Sequence, residues 1–228
     1  MTEYLVFTLA ATLAAMGDLA GHERRGSQVW PGRSAILGLV GAAMGLRRGD
    51  DFSALDALRV GVAVFDPGAP LRDYHTVQTV PTAAAKRPNS RPEALRAAGL
   101  RTNTTITLRD YRTGVLFGVA LWGGDLAAVK AALDAPHFAL CLGRKSCPLS
   151  APPGARLVDS QTPEAALANL VLPPWGAARV ARRLVVDAEP DDRHVEVRHD
   201  LPLDRQRWHF GPRRVAWRAV EIAPGGVA

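Results

Sequence analysis

Two groups of residues in this chain have the types to do chemistry. The first is the neighbouring pair Tyr74-His75, with Tyr111 and Lys145 elsewhere. A phenol, an imidazole and an ammonium suffice to draw a metal-independent cleavage of RNA, one group taking a proton and another returning it. The spacing does not demand this, because tyrosines at strand ends also serve as packed anchors. The second group is Gly143-Arg144-Lys145-Ser146, two cations and a hydroxyl in one turn, suited to holding a phosphate. It resembles the end of a phosphate-binding loop, but the earlier glycine is missing at the required spacing and no helix follows, so a P-loop is rejected. A solvated basic turn is the competing reading. His22, His75, His137, His194, His199 and His209 are scattered, without an HxxxH or HxH pair. Cys141 and Cys147 have five residues between them and no second pair to complete a zinc site. Neither a metal nor any other cofactor is expected.

A longer pattern positions these groups. The phrase L-R-D-Y-x-T occurs twice, as Leu71-Arg72-Asp73-Tyr74-His75-Thr76 and as Leu108-Arg109-Asp110-Tyr111-Arg112-Thr113. Between the copies lies VPTAAAKRPNSRPEALRAAGLRTN, too poor in large apolar residues to hold itself as a core. Residues 71–113 carry eight basic side chains, among them Lys86, Arg87, Arg91, Arg96 and Arg101, against three acids; that is five of the chain's formal excess of six charges. A loop this long inside a compact domain is uncommon and is usually functional or disordered. A basic, mobile arm on two matched strand ends suits a polyanion. A solvated insertion that happens to be Arg-rich is the alternative.

The totals narrow the partner. The chain has 228 residues, 47% hydrophobic and 22% charged, enough to bury a core in one large domain or in a medium and a small one. Its sequence pI near 10.0 comes from arginine more than lysine. Arginine's planar fork matches phosphate and stacks on bases, so nucleic acid is the first partner to consider and an anionic membrane surface the second. The cysteines read as reduced thiols of a cytoplasmic protein, a structural disulfide being the alternative. Tyr4 to Met16 imitates a signal-peptide core, but no Lys or Arg precedes it and Glu3 sits where a positive region belongs. No run approaches the ~20 apolar residues of a spanning helix.

Along the chain, Glu3 to Leu9 reads as a buried strand and Ala10 to Gly32 as a long loop. Ser34 is the expected N-cap of a helix over residues 35–46, whose Gly38, Gly41 and Gly45 point to close packing on a sheet. Leu55 to Arg59 reads as a helical turn and Val60 to Phe65 as a strand. Leu71 to Val80 and Thr104 to Asp110 are extended arms of an exposed hairpin. Val115 to Trp122 is a strand, Asp125 caps a helix to Leu133, and Phe138 to Leu142 reads as a fourth core strand. The order is strand, helix, strand, insertion, strand, helix, strand. It predicts an α+β, ferredoxin-like or RRM-like (split βαβ) domain over 1–150, with an inserted β-hairpin thumb at about 77–107. The aromatic strand signature of RNA-recognition modules is absent, so stacking of bases on the sheet face is not expected. Beyond Pro152-Pro153 the composition shifts. Residues 151–228 read as a small β-rich region with strands at Leu184 to Val186, His194 to Arg198 and Val215 to Ile222, docked on the first domain. The end from Pro224 reads as frayed.

Four stretches taken together are WPGRSAILGLVGAAMGL (30–46), LRDYHTVQT (71–79), LRDYRTGVLFGVALW (108–122) and LGRKSCPL (142–149). They resemble the subtype I-E branch of the CRISPR-associated "Cas five" family, a subunit of the Cascade surveillance complex. The likeness runs from about residue 3 to 150 and is weaker over the tail; its motifs are modest singly and specific in order and spacing. It implies a non-catalytic subunit that grips the 5′ handle of the crRNA and lays its thumb across the guide. The implied neighbours are the backbone subunit CasC and the large subunit CasA, with target DNA met only through the complex and no membrane involved. Carried over residue by residue, the implied RNA contacts begin with Arg33 and Ser34 at the helix start, where N–H groups and dipole favour phosphate. They continue with His75, Thr76 and Gln78 at the thumb base, Arg109 and Tyr111 on its return, and Arg144, Lys145 and Ser146 in the basic turn. Arg24 and Arg101 are further candidates. Subtype I-C relatives cut precursor crRNA with an adjacent Lys-His pair and a tyrosine. This chain has no such adjacent pair, so no catalysis is expected, and a metal-independent endoribonuclease is the alternative.

Overall fold

The computed structural model describes residues 1–20, 23–85, 88–205, 207 and 209–225. His22, the Lys86-Arg87 pair of the basic arm and the last three residues of the expected frayed end fall outside these. The elements, in chain order, are β1 (Thr2–Ala14), β2 (Gly17–Ala20), β3 (Arg24–Ser27), α1 (Arg33–Ala43), α2 (Ser53–Asp56), β4 (Arg59–Asp66), β5 (Ala69–Thr79), α3 (Arg91–Ala98), β6 (Asn103–Trp122), α4 (Leu126–Asp134), β7 (Arg156–Ser160), α5 (Pro163–Leu167), β8 (Ala181–Asp187), β9 (Val195–Asp204) and β10 (His209–Ile222).

One strand organises the rest. β6 is continuous over residues that the sequence reading split into a hairpin arm and a core strand. Its C-terminal half lies antiparallel between β1, from Leu5↔Leu121 to Ala14↔Arg112, and β4, from Arg59↔Trp122 to Val64↔Phe117. Its N-terminal half leaves the body and pairs with β5, from Ala69↔Thr113 to Thr79↔Asn103. The body sheet runs β7-β1-β6-β4-β8-β10-β9. β1 reads as an unbroken apolar run because both of its faces are buried. Leu5, Phe7 and Leu9 join the core under α1 and α4, while Tyr4, Val6 and Ala10 join a second core that includes Leu167 of α5.

Several expectations are corrected. Residues 10–32 are not one loop: β1 runs on to Ala14, and β2 and β3 follow, β3 lying parallel to β6 at Arg24↔Leu108 and Arg25↔Arg109. Residues 138–142 are not a strand. Leu140 and Leu142 are buried, but the only sheet-like contact in this stretch among the described residues is a bridge between Cys141 and Pro148. The apolar run marked burial rather than extension. The place beside β1 is taken by β7, paired from Thr2↔Ser160 to Val6↔Arg156. The C-terminal strands extend the same sheet, since β8 pairs with β4 from Gly61↔Val186 to Val64↔Arg183. Gly41 of α1 meets Phe52, where an added Cβ would come within 2.6 Å of the ring, rather than the sheet; Gly38 faces open space.

The arm also contains a helix. Ser90 accepts the Glu93 amide at 3.4 Å, the Glu93 carboxylate accepts the Asn89 amide at 3.0 Å, and Pro92 stands in the first turn. These contacts satisfy N-terminal donors that a helix otherwise leaves unpaired. Ala94 and Ala98, one turn apart, form its buried stripe.

Candidate nucleic-acid interface

The thumb base is built from β5, β6, β3 and the turn after residue 142. Strand periodicity divides its side chains. Along the β5–β6 ribbon the paired odd-numbered residues, from Ala69↔Thr113 to Thr79↔Asn103, share one side, that of Tyr111, called inner; even-numbered residues share the opposite, outer side.

On the inner side, Tyr111 is buried with Ala15 and Cys147. The guanidinium of Arg144 lies over its ring, 4.4 Å from the centroid. Two residues up the strand on the same side is Arg109. The Nε of Arg109 and one Nη of Arg144 are buried without an acceptor. An unpaired buried donor costs about 1–3 kcal/mol, and more when charged, so both are open to an acceptor from outside the chain; Asp73, opposite Arg109 in the ladder, is the acid on this side. Arg25, opposite Arg109 in the β3–β6 register, is exposed and has no acidic partner among the described residues. His75 is half-buried on this side, opposite Thr107, whose hydroxyl donates to the His75 carbonyl at 3.2 Å.

The turn bearing Arg144 is fixed by its backbone. Leu142 and Cys147 are fully buried at its two ends, the Leu142 amide donating to the Cys147 carbonyl at 2.8 Å. The Ala15 amide donates to the Leu142 carbonyl at 3.1 Å, tying the turn to the end of β1. Gly143 has φ +93, and a Cβ there would sit 1.8 Å from the Ala15 carbonyl oxygen, so no other residue fits. Lys145 and Ser146 project from the apex, exposed.

On the outer side, Asp110 accepts from Arg24, with Nε at 2.9 Å and Nη2 at 2.7 Å, and from Arg72, with Nε at 2.7 Å. The hydrogen bond from Arg72 and then that from Arg24, opposed by partial burial, hold the Asp110 carboxyl below the usual carboxylate range. Thr76 and Gln78 follow along β5, exposed. Tyr74 is exposed rather than packed as a strand-end anchor. Arg101 lies past α3, exposed, with one donor on the Ala97 carbonyl at 3.4 Å.

The helix start departs from expectation. The N-cap of α1 is Gly32, and Ser34 lies inside the first turn. The anion that the helix N-terminus favours is supplied by the chain itself, because the Arg33 amide donates to Asp200 Oδ2 at 2.8 Å. Arg33 is 5% exposed, and its guanidinium donates to the carbonyls of Leu58 and Asp56. Burial pulls its pKa below the ordinary arginine value. Asp200 in turn takes two donors of Arg213, which also reaches Asp187. Arg33 is thus a buried strut and stands apart from the thumb-base group. Sequence reasoning missed Arg25 and Arg72 because only the strand register shows which neighbours they meet.

The chain is similar to known proteins along most of its length. The model of the family described as CRISPR-associated protein (Cas_Cas5) matches residues 4–216. The "CRISPR system Cascade subunit CasD" of Escherichia coli (strain K12) is 33% identical over 187 residues, covering 74% of this chain and 77% of that protein. A chain in a solved structure titled "CRISPR RNA-guided surveillance complex" superposes with a TM-score of 0.72 at 26% identity, covering 96% of this chain and 90% of its own. A "Crystal structure of Cas protein" gives 0.66 at 26% identity, covering 98% of both.

Proposed function

The chain belongs to the CRISPR-associated Cas five family, and from that premise we propose that it is a crRNA-binding subunit of a Cascade-type surveillance complex. The observation that carries this reading is the group around Tyr111. Arg109 and Arg144 present buried donors without acceptors on the same side of the thumb base, with Lys145, Ser146 and Arg25 at its rim. Phosphate oxygens supply what those donors lack, and a guanidinium fork matches them. We assign this group to the 5′ handle of the crRNA, with CasC and CasA as neighbouring subunits and target DNA met through the complex. His75, Thr76, Gln78 and Arg101 lie along the thumb's path over the guide. Arg33 and Ser34 drop out of the assignment, since the first is consumed within the chain.

We read the body as ferredoxin-like. The antiparallel order β7-β1-β6-β4, with α1 between β1 and β4 and α4 after β6, supports that reading, with the thumb at about 77–107 inserted before β6 and residues 151–228 completing and extending the sheet. The subunit holds RNA without cutting it. In support, the Tyr111 ring lies under Arg144 and is 8% exposed, a poor position for a proton donor.

The test is co-expression with a repeat-spacer transcript, followed by purification. Wild type retains a short RNA with a defined 5′ end; the double substitution Arg109→Gln, Arg144→Gln retains at least tenfold less at equal protein. Undiminished RNA in that variant overturns the site. Incubation of the purified chain with repeat RNA in EDTA leaves the RNA intact; specific cuts would establish the endoribonuclease instead.

A further inference from the structure

The outer side of the thumb carries a strip that the inner-side cluster does not use. Asp110 is the one acid on this side of the β5–β6 ribbon, and it is engaged twice. Its Oδ2 takes both Nε and Nη2 of Arg24, and its Oδ1 takes Nε of Arg72, with Nη2 of Arg72 reaching Oδ2 at 3.4 Å. The carboxylate therefore fixes two guanidinium planes without consuming them. Neither Nη1 has an acceptor among the described residues, and the side chains are 59% and 42% exposed against 15% for Asp110. The triad keeps one net positive charge and two oriented pairs of donors.

The next residue on this side of β5 is Tyr74, one strand repeat of about 7 Å beyond Arg72. It is 69% exposed. Opposite it stands Leu108, and diagonal to it Ile106, 55% exposed and itself opposite Thr76. Thr76, Gln78 and Thr104 complete the strip, all exposed hydrogen-bonding groups. Arginine and tyrosine also favour protein–protein interfaces, but around a larger apolar core. Here Arg24 of β3 and Arg72 of β5 stand at one end of the strip and threonines and a glutamine at the other, with Leu108 and Ile106 the apolar side chains between them. Cations for a backbone, one aromatic face and scattered hydrogen-bonding groups match an unpaired nucleic-acid strand.

We propose that this outer strip is a second single-stranded RNA contact. Arg24 and Arg72, oriented by Asp110, hold a backbone phosphate, and Tyr74, flanked by Ile106, takes the face of the adjacent unpaired base. The inference rests on the RNA-binding reading above and adds a site on the opposite side of the thumb. Arg24 thereby gains a partner, Arg72, and a geometry that its position in the sequence did not supply.

Fluorescence anisotropy with the full chain and a fluorescein-labelled, unstructured, mixed-sequence oligoribonucleotide tests it. The pair Arg24→Gln, Arg72→Gln weakens binding about tenfold, and flattens the slope of log affinity against log salt by about 0.7 for the phosphate it releases. Tyr74→Ala weakens binding about fivefold or more, within the range of lost base stacking, and leaves the slope unchanged. Tyr74→Trp restores binding. Tyr74 also crosslinks to the probe under ultraviolet light in wild type. If Arg109→Gln, Arg144→Gln abolishes binding while the outer variants bind like wild type and Tyr74 gives no crosslink, the second contact is wrong and the RNA reading stands. If wild type itself does not bind the probe, the RNA reading fails as well. If the outer variants bind RNA normally but no longer assemble with neighbouring subunits, the strip is a protein surface and the proposal is overturned.

Discussion

Arg33 and Arg144 border the same helical layer and have opposite fates. At Arg33, the chain's own oxygens take the amide and both Nη groups. The Leu58 and Asp56 carbonyls take the guanidinium, Asp200 takes the amide, and Arg213 bridges Asp200 to Asp187. Burial opposes the charge on Arg213, but the hydrogen bonds and fields of Asp200 and Asp187 outweigh it and raise its pKa. Nearby, Trp30 meets Trp217 edge to face, and the Trp217 indole donates to Glu196 at 2.8 Å. These contacts tie β9 and β10 to the helix. Around Arg144, the chain supplies a ring to rest on and leaves a buried donor unanswered. The difference separates an arginine that holds the fold from one that we assign to the RNA. Total charge carries no such distinction, because both count as +1.

The sharpest way to break that comparison is at Arg213. Arg213→Ala leaves Asp200 and Asp187 partly buried and unpaired, and is expected to cost about 3–5 kcal/mol in urea unfolding. Arg144→Gln is expected to change stability by less than about 0.5 kcal/mol. Equal losses at the two sites would erase the distinction. Gly143→Ala comes next, because it forces a side chain into a left-handed backbone against the Ala15 carbonyl. The conformation alone costs about 1–3 kcal/mol, and RNA binding should fall with it as the basic turn is displaced. A variant that binds normally would show that the turn does not position Arg144.

Third in size is RNA affinity itself. Arg109→Gln and Lys145→Gln should each flatten the salt dependence by up to about 0.7, while Arg33→Met should leave that slope at the wild-type value even where it lowers stability. The smallest effect is on pH. Asp110 titrates below its ordinary value, so the contribution of its ion pairs is complete above about pH 4 and is lost as pH falls through the lower folded value. Outer-strip binding should therefore be constant from about pH 5 to 8. A carboxyl NMR titration of Asp110 with a midpoint at or above that of a model aspartate would contradict the triad.

Much of this was legible in the sequence where one residue dictates one local contact. Asp125 caps α4 through the Ala128 amide, as its position before an apolar stretch implied. The twin L-R-D-Y phrases lie on the two strands of one hairpin. Ser90 and Glu93 spell a helix start inside the arm, yet the low apolar content drew attention away from it. The stretch 138–142 misled because an apolar run reports burial, and burial can be had by plugging a turn. Arg33 misled for a longer-range reason. The carboxylate that claims its helix start lies 167 residues away, and no local pattern announces such a partner.

β6 has one further consequence. Because a single strand passes from the core into the projecting thumb, the finger is a cantilever rather than a hinged flap. Load placed at its tip is borne by the same peptide ladder that seals the middle of the body. A ligand seated there would stiffen the interior from a distance, slowing amide exchange at Phe117 and Val119 without touching either.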